Sequence, residues 1–392
     1  MRAVVCQNET LRVAEVPDPV PGQGQLLLQV ERCGICGSDL HARTHCDELA
    51  GVAAECGYPT VMRPDQEIVL GHEICGEVID HGPRTRPKLK PGTQVVTMPV
   101  RRDGDGNAKT NGTVRMTGFD TAAPGGFAEQ VVAQDVFTFA VPNGLSAERA
   151  AFTEPLAVAW HAVRRGCVGK GQPAVVVGCG PIGLAVILML KAAGVRTVIA
   201  SDFSPGRRAL AERCGADITI DATANSPWDR TWRGPVNSIP EYLGFGIDTM
   251  KRLRSVPGLP WPRLMRLAEA ANATPSGPVI FECVGAPGLL EQVVTGAPMH
   301  SRVVVVGVCM QPDRFRPAMA LHKELELRFV FGYDPGEFHD TLHMIAEGKV
   351  DPSPLLTGTV GLDGVDAAFT ALGDPEKHAK ILIDPRSTVL AP

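Results

Sequence analysis

The chain changes its hydrophobic rhythm along its length. Through about residue 150, apolar residues come in short alternations broken by Gly and Pro, as in QLLLQVERCGICG (25–37), VVTMPV (95–100) and GGFAEQVVAQDVFTFAVP (125–142). Such runs predict short strands joined by long loops, with no helix-length periodicity dominating. The opening MRAVVCQNETLRVAEVP predicts strand, turn and strand. From Ser146 the spacing becomes helical, in SAERAAFTEPLAVAWHAVRRG (146–166). AVVVGCGPIGLAVILMLKAAGVRTVIASD (174–202) then reads as an apolar strand, a Gly-rich turn, a helix and a second apolar strand. PVIFECVG (278–285) and SRVVVVGVC (301–309) predict two more such strands. Fully apolar strands alternating with helices predict a parallel sheet covered on both faces. After Cys309 the β-rich style returns mixed with helix, and KHAKILIDP (377–385) predicts a final strand.

One segment does not fit this alternation. Asp221 to Gly277 is far longer than a strand-to-strand crossover needs, and it holds Trp228, Trp232 and Trp261. Its middle places Leu243, Ile247, Met250 and Leu253 on one helical face. Two placements are expected for it: folded over the adenine half of a dinucleotide, or packed on the outside of its own domain or a neighbouring subunit.

Composition removes several function classes. A formal net charge of −5 argues against a nucleic-acid or anionic-membrane partner. The longest apolar run, Ile182 to Leu190, stops at Lys191 and is too short to span a bilayer. The first residues lack the apolar core of a secretory signal. Eleven scattered cysteines then read as small buried hydrophobes in a reducing compartment, so a cytoplasmic protein is expected.

The Gly-rich turn carries the first chemistry. Gly178, Gly180 and Gly183 form G-x-G-x-x-G between a predicted strand and helix, and Asp202 ends the next strand. Gly178 permits the tight turn, Gly180 lets backbone approach a pyrophosphate, and Gly183 lets helix and strand pack closely. The helix start offers free N–H groups to phosphate. Asp202 would accept from both ribose hydroxyls and repel the 2′-phosphate of NADP, which favours NAD, although Arg207 and Arg208 stand close enough to soften that preference. Cofactor contacts are expected at Gly178, Gly180, Pro181, Ile182, Gly183, Asp202, Arg207, Val284 and Val306.

CGICGSDLH (33–41) offers two cysteines three apart, which could be half of a zinc finger, a redox pair or one ligand of a site completed elsewhere. GHE (71–73) adds His72 and Glu73, and EPLAVAWHAV (154–163) adds Glu154. With the glycine motif, these segments resemble the zinc-dependent medium-chain dehydrogenases. LKPGTQVV, GGFAEQVV and EGKVDPSPLLT extend the likeness through nearly the whole chain outside 221–277. EPLAVAWHAV looks most like the polyol, butanediol and threonine dehydrogenase branch, whose substrates are secondary alcohols.

That resemblance implies an α/β fold: a doubly wound Rossmann domain at 156–310 with an insertion at about 222–277, and a β-rich GroES-like catalytic domain split into 1–155 and 311–392. It implies Cys36 and His72 as zinc ligands with Glu73 or Glu154 as the third, and Cys33 as a packed strand-end residue. It also implies that Ser38 takes the alcohol proton and His41 releases it to water, with Asp39 orienting a ligand imidazole. The family's second, structural zinc uses four closely spaced cysteines. The stretch after Val100 has none, so a single catalytic zinc is expected. The reaction implied is NAD-dependent oxidation of a secondary alcohol by a homodimer or homotetramer. Alternative readings are a zinc-free quinone or enoyl reductase of the same superfamily, and a non-catalytic binding member. Both are disfavoured by the joint presence of Cys36, His72, the glutamates and Ser38.

Overall fold

Two antiparallel strands, Arg2–Gln7 and Thr10–Glu15, open the chain as their alternation predicts. Asn8 and Glu9 between them both take positive φ, as a two-residue hairpin turn requires. The computed structural model describes residues 1–85, 88–103, 112–230, 236, 238–270 and 275–392. Contacts divide the chain into two units. One comprises Met1–His161, Gly180–Met189 and Gly332–Pro392; the other comprises Ala162–Cys179 and Leu190–Phe331.

The first unit is built around the strand Gln25–Gly34. It pairs antiparallel with Glu73–His81, Gln130–Gln134 and Lys380–Ile383, so its neighbours come from three distant parts of the chain. Inward alternation buries Leu26, Leu28 and Val30 against Phe127, Ile381 and Ile383. The β-rich expectation holds here with one correction. Two helices, Gly37–Thr44 and Cys46–Glu55, follow CGIC where no helix was expected. They bury only Asp39, Ala42, Cys46 and Ala50, small or polar residues that leave no apolar stripe to read.

The second unit holds a six-stranded, all-parallel sheet. Its spatial order is Ile218–Asp221, Val198–Asp202, Ala174–Val177, Val279–Glu282, Arg302–Val305 and Glu326–Phe329. Numbered along the chain that is 3-2-1-4-5-6, the doubly wound order in which ligands sit at the carboxyl ends of the strands. Val175, Ile199, Ile280 and Val303 are fully buried in its core. The unit runs to Phe331 because Glu326–Phe329 is its outer strand.

The long segment after Asp221 forms the helices Pro227–Arg230, Ile239–Arg254 and Trp261–Ala270. Trp228 packs on the sheet's apolar cluster, against Gly296, where an added Cβ would stand 2.2 Å from its indole nitrogen. Trp232 lies outside the described residues. Tyr242 lays its ring 4.9 Å from that of His300, just before the strand Arg302–Val305. This anchor lies at the amino edge of the sheet, whereas Gly178 and Asp202 lie at the carboxyl edge. It therefore favours packing on the outside of the unit over a cover for the adenine half. The apolar face read from the sequence exists, but Leu243 and Ile247 on it are exposed. Among the described residues, no helix is long and apolar enough to cross a membrane.

Candidate metal centre and dinucleotide turn

The metal centre grows from a turn between strand and helix. Cys36 ends the extended backbone and precedes the helix Gly37–Thr44. Asp39, in the first helical turn, is completely buried. Its Oδ2 accepts from the Cys36 amide at 2.9 Å, and its Oδ1 accepts from the Gly71 amide at 3.3 Å. The same Oδ1 lies 3.3 Å from His72 Nδ1. One carboxylate thus ties the Cys36 turn to the Gly71–His72 segment, and it turns the opposite ring nitrogen toward the cysteine. Ser38 Oγ sits 3.4 Å from that Nε2.

Ligand atoms of Cys36, His72 and Glu73 all lie within 4.8 Å of one another. Thiol, imidazole and carboxylate converging at a largely buried spot fit a tetrahedral zinc with one open position. The electrostatics agree. Burial disfavours the charged His72 ring, but Asp39 and then Cys36 outweigh it and hold its pKa well above the ordinary value. A pocket that attracts a proton to this imidazole attracts a cation in its place.

Glu73 is shared with another partner. Lys380 Nζ donates to both its oxygens, at 2.5 and 2.8 Å, and to the Ile35 carbonyl at 3.0 Å. Gly34 makes room for the pair, since a Cβ there would lie 1.8 Å from Glu73 Oε2. Glu154 starts the long helix Thr153–Gly166 and is buried, outside the close cluster of three. Burial pushes its carboxyl up to about 7; His72 works against the rise and Glu73 adds to it. The Tyr333 hydroxyl stands beside Glu154, and burial raises its pKa well above the usual phenol range.

Among the sequence candidates, Cys36, His72, Glu73, Ser38 and Asp39 come together, with Glu154 at the edge. His41 lies three residues past Ser38 on the same helix, half-buried, its pKa lowered by burial and then by His45. Cys33 is fully buried, its thiol pushed well up by burial. Lys380 and Tyr333 were not singled out by the sequence. A lysine opening an otherwise apolar strand, KILI, was the available signal for the first, because a buried lysine requires a partner. Nothing local marked Tyr333.

In the second unit, Gly178 takes φ +89°, and a Cβ there would meet Val284 at 2.3 Å. Asp202 is buried, with Oδ2 accepting from the Cys179 amide at 2.7 Å and Oδ1 from the Ser204 amide at 2.8 Å. The carboxylate expected to meet a ribose therefore also fixes the glycine turn. Arg208 donates to the Asp202 and Phe203 carbonyls and to Asp221, which commits it. Among the described residues the Arg207 guanidinium has no such partner. Pro181, Ile182 and Gly183 begin the helix Pro181–Ala192. Val284 is exposed and Val306 is buried beside Glu282, whose backbone carbonyl accepts from the Val306 amide.

Residues 22–143 match the alcohol dehydrogenase GroES-like domain family. The (R,R)-butanediol dehydrogenase of Bacillus subtilis is 29% identical over 391 residues, 98% of this chain and all of that protein. The sorbitol dehydrogenase of Rattus norvegicus is 29% identical over 92% of this chain and 88% of its own. The solved B. subtilis 2R,3R-butanediol dehydrogenase superposes with a TM-score of 0.71 at 27% identity, covering 98% of this chain and 99% of that one. A zinc-binding dehydrogenase from Sinorhizobium meliloti 1021, solved with NADP, gives 0.73 at 26% over 98% and 99%. Over nearly its whole length, therefore, the chain is similar to the zinc-containing medium-chain alcohol dehydrogenases. It is an oxidoreductase that uses zinc and a nicotinamide dinucleotide, with the β-rich GroES-like fold and the Rossmann sheet of that family.

Proposed function

We propose that this dehydrogenase oxidises a secondary alcohol to a ketone with NAD, at a single zinc that Cys36, His72 and Glu73 would hold, with Glu154 and Tyr333 nearby. The observation that carries this reading is the convergence of the three donors, fixed through Asp39. Bound there, zinc would supply the Lewis acidity that eases loss of the alcohol proton. Ser38, next to the donors, holds the substrate hydroxyl, accepts its proton and gives up its own in the same relay towards His41. His41, with its lowered pKa, is neutral near pH 7 and can pass that proton to water. The dinucleotide supplies the hydride acceptor. The named substrates of the butanediol and sorbitol relatives support a vicinal diol or polyol.

NAD is preferred over NADP because Asp202 is fixed at the ribose end of the turn and Arg208 is engaged elsewhere. The catalytic region is read as 1–155 with the segment after Phe331, and the cofactor region as 156–331 with its insertion, because Glu326–Phe329 joins the parallel sheet rather than the 311–392 segment expected from the sequence. The working form is read as a cytoplasmic homodimer or homotetramer, and eleven free thiols suit a reducing compartment. Elemental analysis together with NADH formation across butanediols, sorbitol, simple secondary alcohols and threonine tests the reading. One zinc per chain and turnover of at least one secondary alcohol are expected. A metal-free active enzyme, or no turnover across the panel, overturns it.

A further inference from the structure

We propose that the helices Ile239–Arg254 and Trp261–Ala270 form a face that docks on an anionic lipid bilayer. Among the described residues, neither helix buries any side chain. In the shorter one, Trp261, Leu264, Met265 and Leu267 lie on one side, while Arg263 and Arg266 lie on the other. All four apolar residues are exposed, Leu267 by 64%. A helix of ten residues is marginal in water on its own and needs a surface for its apolar side. The preceding helix adds the exposed Leu243 and Ile247, and it ends in Lys251, Arg252 and Arg254.

Charge selects the occupant. Residues 222–277 carry seven basic and four acidic side chains, in a chain with 38 basic and 43 acidic overall. The whole-chain charge that argued against an anionic surface is an average that hides this segregation. A tryptophan-bearing apolar stripe backed by arginines is the arrangement of helices that lie in a bilayer interface. Nearby lysines and arginines add attraction to an anionic leaflet. A second copy of the chain fits less well. A two-fold contact would set this basic cluster against its own image, at an interface whose centre is ordinarily depleted of charge. The net-acidic remainder of the chain would be repelled by the same leaflet, which orients this face towards it. The anchor of Tyr242 on His300 lies at the amino edge of the parallel sheet, so docking leaves the carboxyl edge, with Gly178 and Asp202, open.

The test is co-sedimentation of the full-length enzyme with vesicles of equal phosphatidylglycerol and phosphatidylcholine, against phosphatidylcholine alone. The wild type should pellet with the anionic vesicles only, and 0.5 M salt should release it. Arg263→Glu with Arg266→Glu should weaken binding at least ten-fold. Trp261→Ser should weaken it too, and should abolish the blue shift of tryptophan fluorescence on vesicle addition. Alcohol oxidation in solution should be unchanged in both variants. Absence of binding to anionic vesicles overturns the proposal, as does equal binding by wild type and variants. Loss of oligomer mass by light scattering in either variant also overturns it, because the face would then be a subunit contact.

Discussion

Lys380 and Glu73, 307 residues apart in sequence, form a buried ion pair in which both side chains are 1% exposed and the ammonium bridges both carboxylate oxygens. The lysine neutralises one carboxylate of the candidate metal centre and holds it still. Its remaining hydrogen bond, to the Ile35 carbonyl, ties it to the turn that presents Cys36.

Removing one partner leaves the other charged and dry. Lys380→Met should cost about 3–5 kcal/mol of stability. Lys380→Met with Glu73→Gln should recover much of that loss, since no unpaired charge remains. Urea denaturation of the two single variants and the double variant measures this coupling. An additive double variant would contradict it.

Cys36→Ser should lose bound zinc and alcohol turnover while the thermal transition of the parallel sheet persists. Val175, Ile199, Ile280 and Val303 make that core, in a different unit from the one that carries the donor cluster. Elemental analysis with calorimetry checks both halves. Two tightly held zincs per wild-type chain would contradict the single-site reading.

Asp39→Asn keeps the shape of the hub and removes its charge. The amide can still accept from one backbone N–H, but it offers the His72 ring no anion. Metal affinity or activity should fall about 10–100-fold, the usual effect of losing a carboxylate behind a ligand imidazole. Zinc competition with a chromophoric chelator reads this directly. Unchanged affinity would mean that the 3.3 Å approach to Nδ1 carries no weight.

Asp202→Ser removes the repulsion of a 2′-phosphate, so the ratio of NADP to NAD efficiency should rise. It also removes acceptors from the Cys179 and Ser204 amides, so kcat/KM with NAD should fall by a larger factor than kcat/KM with NADP rises. Arg207→Ala in the same background should reverse the gain with NADP, because that guanidinium has no partner of its own among the described residues. Steady-state kinetics with both cofactors decides. A wild type that already prefers NADP would refute the reading of Asp202.

The parallel sheet was legible because its strands are buried on both faces and read as unbroken apolar runs. The glycine turn was legible because Gly178 needs positive φ and closeness to Val284, demands that only glycine meets. The candidate donors Cys36, His72, Glu73 and Glu154 were legible through the motifs around them, and the first three converge. The neighbours that set the two glutamates apart were not legible, because Lys380 reaches Glu73 only through strand pairing and Tyr333 stands beside Glu154 from far along the chain. The two short helices after Cys36 escaped notice because they bury alanines and a carboxylate rather than leucines. The position of the 221–277 segment rests on a ring contact between Tyr242 and His300, which no periodicity encodes.

The strand Lys380–Ile383 inserts between Gln25–Gly34 and Leu356–Val360, so the sheet beside the candidate metal donors is closed by a segment 307 residues along the chain from Glu73. A pairing of such sequence separation closes a very large loop, and topologies built on such pairings fold slowly. Glu73 gains its counter-ion only when that loop has closed, so the frame around the thiol, the imidazole and the carboxylate reports on the long-range closure of its whole unit rather than on local structure.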